Sequence, residues 1–175
     1  MKKVIIIGCP GSGKSTFARA LRDQTKLPLY YLDMIWHKPD RTHITKEEFD
    51  KQLGKILCQQ QWILDGNYLR TMELRIKECD TVFLLDIPLE TCLLGAQSRI
   101  GHKREDMPWV ENEFDPSFKQ WICDFHKDQL PKIDALLEKY GANKTIVLFK
   151  ARREIDAYME RMRNGQAESH GQNLF

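Results

Sequence analysis

The chain has 175 residues, of which 42% are hydrophobic and 30% charged, and a formal net charge of +2. That length suffices for one α/β core with a small insertion, and the charge is too small and too evenly spread for an electrostatic nucleic-acid binder, which would gather its cations into a patch or stripe. Cysteines at 9, 58, 79, 92 and 123 form neither a CxxC pair nor a metal-like spacing, so they read as reduced thiols of a cytoplasmic protein, and no apolar stretch is long enough to span a bilayer.

Met1, Lys2 and Lys3 before an apolar run have the outline of a signal peptide, but the run is too short and ends in a glycine-rich loop. Val4, Ile5, Ile6 and Ile7 predict a strand buried on both faces, and Phe17, Ala18 and Leu21 predict a helix by their spacing. Between them Gly8, Cys9, Pro10, Gly11, Ser12, Gly13, Lys14, Ser15 and Thr16 follow the pattern G-x-x-x-x-G-K-S. Strand, glycine loop and helix in this order form a phosphate-binding loop. Its backbone N–H groups point inward to wrap the β-phosphate of a nucleoside triphosphate, Lys14 reaches the β/γ oxygens as an exposed loop lysine, and the Ser15 hydroxyl serves Mg²⁺.

Residues 27–32 predict a second strand, which puts Asp33 at a carboxyl end, where ligands bind in open parallel sheets. Met34, Ile35, Trp36, His37, Lys38 and Pro39 read as a loop suited to a polar acceptor molecule. Thr45 and Glu48 form a capping box, with Phe49, Leu53, Ile56 and Leu57 at helical spacing behind it. Residues 61–65 and 81–86 predict strands that end in Asp65 and Asp86 and flank the first; Pro88 opens a helix toward Ser98 and Arg99. Residues 99–110 are charged, aperiodic and bracketed by Gly101 and Pro108. Asp115 and Pro116 start a helix that carries Phe118, Trp121, Ile122 and Phe125 on one face; Pro131 starts another, ended by Gly141. Residues 145–149 are a fifth strand, Ile155, Tyr158, Met159 and Met162 mark a last helix, and the polar tail 166–175 has little reason to fold. Strands alternating with helices predict a parallel doubly wound α/β sheet in a single domain, 1–165.

Phosphoryl transfer needs placed phosphates, neutralised charge and an aligned acceptor, and the sequence offers candidates for each. Asp65 or Asp86 is a candidate magnesium carboxylate, Asp86 reading more readily as an ordinary strand-end aspartate. Arg99 and Arg104 are candidate clamps for equatorial phosphate oxygens, whereas His102 and Lys103 read as a solvated face. Trp36 and Trp109 are candidates to stack on an acceptor ring or to fill core, and His37 reads as a loop histidine.

These residues resemble the adenylate-kinase-like nucleoside and nucleotide kinases over residues 2–162. Trp62, Ile63, Leu64, Asp65 and Gly66 are similar to the family's third strand and Asp-Gly turn; Leu85, Asp86, Ile87, Pro88, Leu89 and Glu90 are similar to the strand and helix before its lid. The run from Tyr30 to Lys38, with Asp65 to Tyr68 and Arg104 to Trp109, resembles more closely the bacterial topology modulation proteins, a label that names a phenotype. The resemblance implies a P-loop NTPase fold with strand order 2-3-1-4-5, helices on both faces and a lid at about 99–110. It also implies ATP and Mg²⁺ as cofactors, Asp65 beside magnesium, and Arg152 and Arg153 near the adenine base.

The chain departs from adenylate kinases where the acceptor phosphate would bind: Trp36 stands at the arginine position, and Asn67, Tyr68 and Leu69 separate the Asp-Gly turn from Arg70. Related small-molecule kinases set an aspartate against an acceptor hydroxyl, a role that suits Asp33 as base, with Trp36, Asn67, Tyr68 and Arg70 around the acceptor. The sequence therefore predicts ATP- and Mg²⁺-dependent phosphorylation of a small nucleoside-, nucleotide- or alcohol-type molecule. The alternative is a P-loop regulatory protein that binds ATP and affects DNA topology indirectly. A GTP switch is disfavoured, because no Asn-Lys-x-Asp run follows the fourth strand.

Overall fold

The computed structural model describes residues 1–165; the expectation for the tail 166–175 lies outside them. Strand β1 (Lys3–Gly8) is central, and Val4, Ile5, Ile6 and Ile7 are fully buried, as a β-branched run with helices on both sides requires. It pairs with β3 (Trp62–Asp65) on one side and β4 (Thr81–Leu85) on the other; β2 (Leu29–Tyr31) and β5 (Thr145–Phe149) form the edges. All pairs are parallel, in the order β2-β3-β1-β4-β5, as expected.

The crossover helices form two packed groups. Helix α1 (Lys14–Thr25) lies with α8 (Arg152–Arg163), where Phe17 meets Phe83 at 4.8 Å, Phe149 at 5.5 Å and Tyr158 at 6.2 Å between ring centroids. The other group links α5 (Leu89–Gln97), α6 (Pro116–Asp128), α7 (Leu130–Tyr140) and α4 (Leu69–Glu78) in a chain of contacts. Helix α3 (Lys46–Leu57) starts at Thr45, whose side chain accepts from the Glu48 amide at 3.1 Å, and buries Phe49, Leu53, Ile56 and Leu57. Among the described residues no helix is long and apolar enough to cross a membrane.

Two local expectations change. The second strand ends at Tyr31, and Leu32–Trp36 form a short helix, α2, rather than a loop. Leu32 is fully buried against Gly66, where an added Cβ would lie 3.0 Å from the Leu32 Cβ, and Asp33 sits in the first turn, where a carboxylate favours the helix N-terminus. Residues 69–78, to which the sequence reading assigns no element, form α4. Its buried face includes Thr71 and Arg75 beside Met72 and Ile76, so apolar periodicity does not reveal it.

Candidate active site

The phosphate loop is held from below and from both ends. Gly13, at φ 101°, caps α1. Gly11 has φ 81°, and a Cβ there would lie 1.9 Å from the Cys92 carbonyl oxygen of α5; a Cβ on Gly95 would lie 2.2 Å from the Gly11 carbonyl oxygen. Loop and helix thus touch backbone to backbone, which only glycine permits on each side. The Gly95 requirement is invisible in the motif itself. Asn67 Oδ1 accepts from the Gly8 amide at 3.0 Å, and its Nδ2 donates to the Gly8 carbonyl at 2.8 Å. Asn67 lines the larger cavity described below and its amide fastens the start of the loop.

Lys14 is corrected too. It is only 8% exposed, and its Nζ donates to the Cys9 carbonyl at 3.0 Å. Burial pushes its pKa down, while the charge of Asp65 opposes the shift. Asp65 lies beside Ile6 of β1 and is 5% exposed. Burial pushes its carboxyl up to about 6 against the pull of Lys14, and Oδ1 has no partner among the described residues. Asp86, the other candidate, lies with Oδ1 3.0 Å from His126 Nε2, from which it accepts in the tautomer that carries the proton there, and lines neither cavity described below.

Residues 99–115 lie across the mouth of the loop. Glu105 accepts from Arg22 Nη1 and the Tyr31 hydroxyl, both at 3.1 Å, and the Gly101 amide donates to the Glu111 carbonyl at 2.7 Å. Asp106 Oδ2 accepts from Ser15 Oγ at 2.8 Å; Arg104 lies 3.7 Å from Asp106 and 3.3 Å from Glu111. Burial and the charge of Arg104 push the Arg99 pKa down. His102 and Lys103 are exposed. Asp106 carried no assigned role in the sequence reading; the available signal was an acid directly after two basic residues and Glu105, too common a pattern to single out.

Two cavities open on either side of this segment. The larger, about 930 Å³, is lined by Pro10, Lys14, Asp33, Trp36, Asp65 and Tyr68 among others. The smaller, about 430 Å³, is lined by Gly11, Ser12, Gly13, Thr16, Arg152 and the apolar side chains of Ile155 and Met159. Ser15, Arg99, Arg104 and Asp106 line both. Arg152 Nη2 donates to the Gly11 carbonyl at 3.1 Å, while Arg153 is exposed and lines neither cavity.

In the larger cavity, Asp33 Oδ1 accepts from the Tyr68 hydroxyl at 2.8 Å. Tyr68 has φ 37°, a left-handed conformation held by Arg75, which is fully buried and donates to the carbonyls of Gly66, Asn67 and Tyr68. Trp36 stacks on His43 with centroids 4.5 Å apart and meets Phe49 edge-on, so one ring face is already covered. Trp109 meets His37 edge-on at 5.0 Å. Phe118 and Trp121, from the apolar face read for α6, line this cavity, and Trp121 is 38% exposed. Arg70 is corrected as an acceptor ligand: it pairs with both carboxylate oxygens of Asp50 at 2.6 and 2.8 Å and lines neither cavity.

No protein-family model matches the chain, and no curated protein sequence matches it. Solved structures do. Shikimate kinase from Acinetobacter baumannii, in complex with shikimate, is 13% identical, with 97% of this chain and 96% of that one covered at a TM-score of 0.60. Shikimate kinase from Bacteroides thetaiotaomicron is 13% identical over 92% and 96% at 0.55, and deoxyadenosine kinase from M. mycoides, with its products dCMP and dCDP bound, is 11% identical over 93% and 96% at 0.50. With its 2-3-1-4-5 parallel sheet and glycine loop, the chain therefore has the α/β fold of the P-loop kinases.

Proposed function

We propose that the protein transfers the γ-phosphoryl group of ATP, with Mg²⁺, to a hydroxyl of a small neutral molecule. The observation that carries this reading is the junction of the two cavities at Ser15, Arg99, Arg104 and Asp106. ATP would lie in the smaller cavity, its base over Ile155, Met159 and Arg152 and its phosphates in the loop. The acceptor would lie in the larger one. Lys14 and the two shared arginines would meet the charge that spreads over the transferred oxygens, in a site whose dipoles are already placed. Asp33 has one oxygen engaged by Tyr68, which fixes its carboxylate and leaves the other to accept a proton from an acceptor hydroxyl. The Ser15 hydroxyl and the unpartnered Asp65 oxygen fit a hard divalent cation, which would neutralise the β/γ oxygens when bound. Residues 99–110 would form a lid on a single kinase domain.

A neutral acceptor follows from the wall near Asp33. Trp36 places no cation there, Arg70 is held by Asp50, and a monophosphate would face the Asp33 carboxylate. Loss of one bidentate arginine contact costs about 1.5–3 kcal/mol, or roughly ten- to a hundredfold in affinity. The fold is one on which shikimate and deoxyadenosine kinases are built, and the closer resemblance to topology modulation proteins would then be a resemblance to a small-molecule kinase. All five cysteines are free, which suits the cytoplasm. Purified protein with ATP, Mg²⁺ and a panel of nucleosides, nucleotides and small alcohols should phosphorylate a neutral hydroxylic compound and use AMP poorly. Robust AMP phosphorylation unaffected by Asp33→Asn would overturn this pocket assignment, and point to Arg41, which lines the same cavity.

A further inference from the structure

Asp106 is 6% exposed although Lys103 and Glu105 beside it are exposed, and its carboxylate takes up the hydroxyl of Ser15 at 2.8 Å. Its partner cation is shared: the Arg104 guanidinium stands 3.7 Å away and is closer, at 3.3 Å, to Glu111. A second buried carboxylate, Asp65, lines the same cavity with Oδ1 unpartnered among the described residues. Two buried carboxylates and a hydroxyl that share one cavity are an arrangement that costs free energy unless a cation joins it, and hard divalent cations take such oxygen donors. The placement also sets a sign. A carboxylate beside Ser15 would face the β/γ oxygens of a triphosphate in the loop, so the two repel; a divalent cation between anions reverses that interaction.

We propose that Asp106 is a magnesium ligand carried by residues 99–110, joining Ser15 and Asp65, so that this segment closes over ATP only when the metal is present. The proposal rests on the reading of the glycine loop as an ATP site, and adds to it a metal dependence of closure. Glu105 and Tyr31 position the segment, and Asp106 senses the metal directly.

The test uses the full chain, a non-hydrolysable ATP analogue and Mg²⁺, with hydrogen exchange of residues 99–110 and tryptophan fluorescence as readouts. The analogue with Mg²⁺ should protect the segment, whereas the analogue with a chelator should not. Asp106→Asn should lower the apparent Mg²⁺ affinity of the analogue complex by roughly tenfold or more, as loss of a metal-site partner does, while metal-free analogue binds equally well or more tightly. Asp106→Glu, which keeps the charge, should retain metal-dependent closure, and Lys103→Ala should behave as the parent. Parental Mg²⁺ affinity in Asp106→Asn, equal protection without metal, or an Asp106→Glu protein as impaired as the Asn variant would each overturn the assignment. Because the readout is binding, a protein that closes with metal but phosphorylates nothing would overturn the proposed reaction and support this inference; failure of the analogue to bind would overturn both.

Discussion

The two cavities that meet at Ser15 are walled in different ways. The smaller is built around Gly11, Ser12, Gly13, Ser15 and Thr16, chain neighbours set between the central strand and the helix that follows it, with residues of α5, of 99–110 and of α8 beside them. The larger is assembled from α2, the turn after β3, residues 99–115 and one face of α6, pieces up to about a hundred residues apart in the chain. The phosphate-loop wall of the smaller cavity is thus set by local backbone geometry and the larger cavity by long-range packing, and they are joined by a short chain of hydrogen bonds. Arg75 holds the carbonyl of Asn67, and Asn67 holds both backbone groups of Gly8. Substitutions in each half should therefore separate binding of ATP from transfer to the acceptor, except along that chain.

The largest effect is expected at Asp33. Asp33→Asn should lower transfer to the acceptor by roughly 10²–10⁴-fold, the usual contribution of a general base, with ATP affinity unchanged by calorimetry. A matching loss of ATP affinity would show that the halves are not separable. Lys14→Ala should lower turnover by roughly 10²–10³-fold through loss of a placed cation. Because Lys14 is buried, the fold must be monitored by thermal unfolding alongside the kinetics.

Next in size is the joint between the halves. Arg75→Ala leaves the Gly66 and Asn67 carbonyls without their side-chain donor, while the Tyr68 carbonyl keeps the Thr71 amide and hydroxyl, and should destabilise the protein by about 3 kcal/mol in denaturant titration. It should also weaken ATP binding through Asn67. Arg70→Ala, one partner of an exposed pair, should cost about 1 kcal/mol or less. Equal effects for the two arginines would sink the idea that Arg75 couples the cavities.

A smaller effect is expected from pH. Asp65 is held at about 6 from an ordinary 3.8, so the folded state binds its proton more tightly than the unfolded state does. Stability of the metal-free protein should fall as pH rises from about 4 to about 6 and stay lower above that, by up to roughly 3 kcal/mol at about 1.4 kcal/mol per unit. In Asp65→Asn this slope should vanish. Saturating Mg²⁺ with the ATP analogue should flatten it in the parent, because a bound cation favours the ionised carboxylate.

The parallel sheet and the phosphate loop were legible in the residues because each signal is local, whereas the strand order followed only from the family resemblance. A β-branched run, a glycine pattern and helical spacing behind it act over a few neighbours, and Val4 to Leu21 carry all three. Helix α4 was not legible, since Arg75 occupies a core-facing position that a periodicity argument assigns to an apolar residue. Arg70 and Asn67 were legible as polar residues near a turn, but their partners Asp50 and Gly8 lie 20 and 59 positions away.

By itself, then, the sequence determined a phosphate loop between a buried strand and a helix, with Asp33 and Asp65 placed near the carboxyl ends of strands. Local backbone preference and burial suffice for that. Only the tertiary structure decided which polar groups remain free for chemistry, because most buried donors and acceptors are paired and the pairs form across the fold. Long-range pairing engaged Asn67 and Arg75 and held Arg70 on the exposed Asp50, packing set Phe118 and Trp121 on the cavity wall, and the fold brought Asp106 against Ser15 across 91 positions of chain.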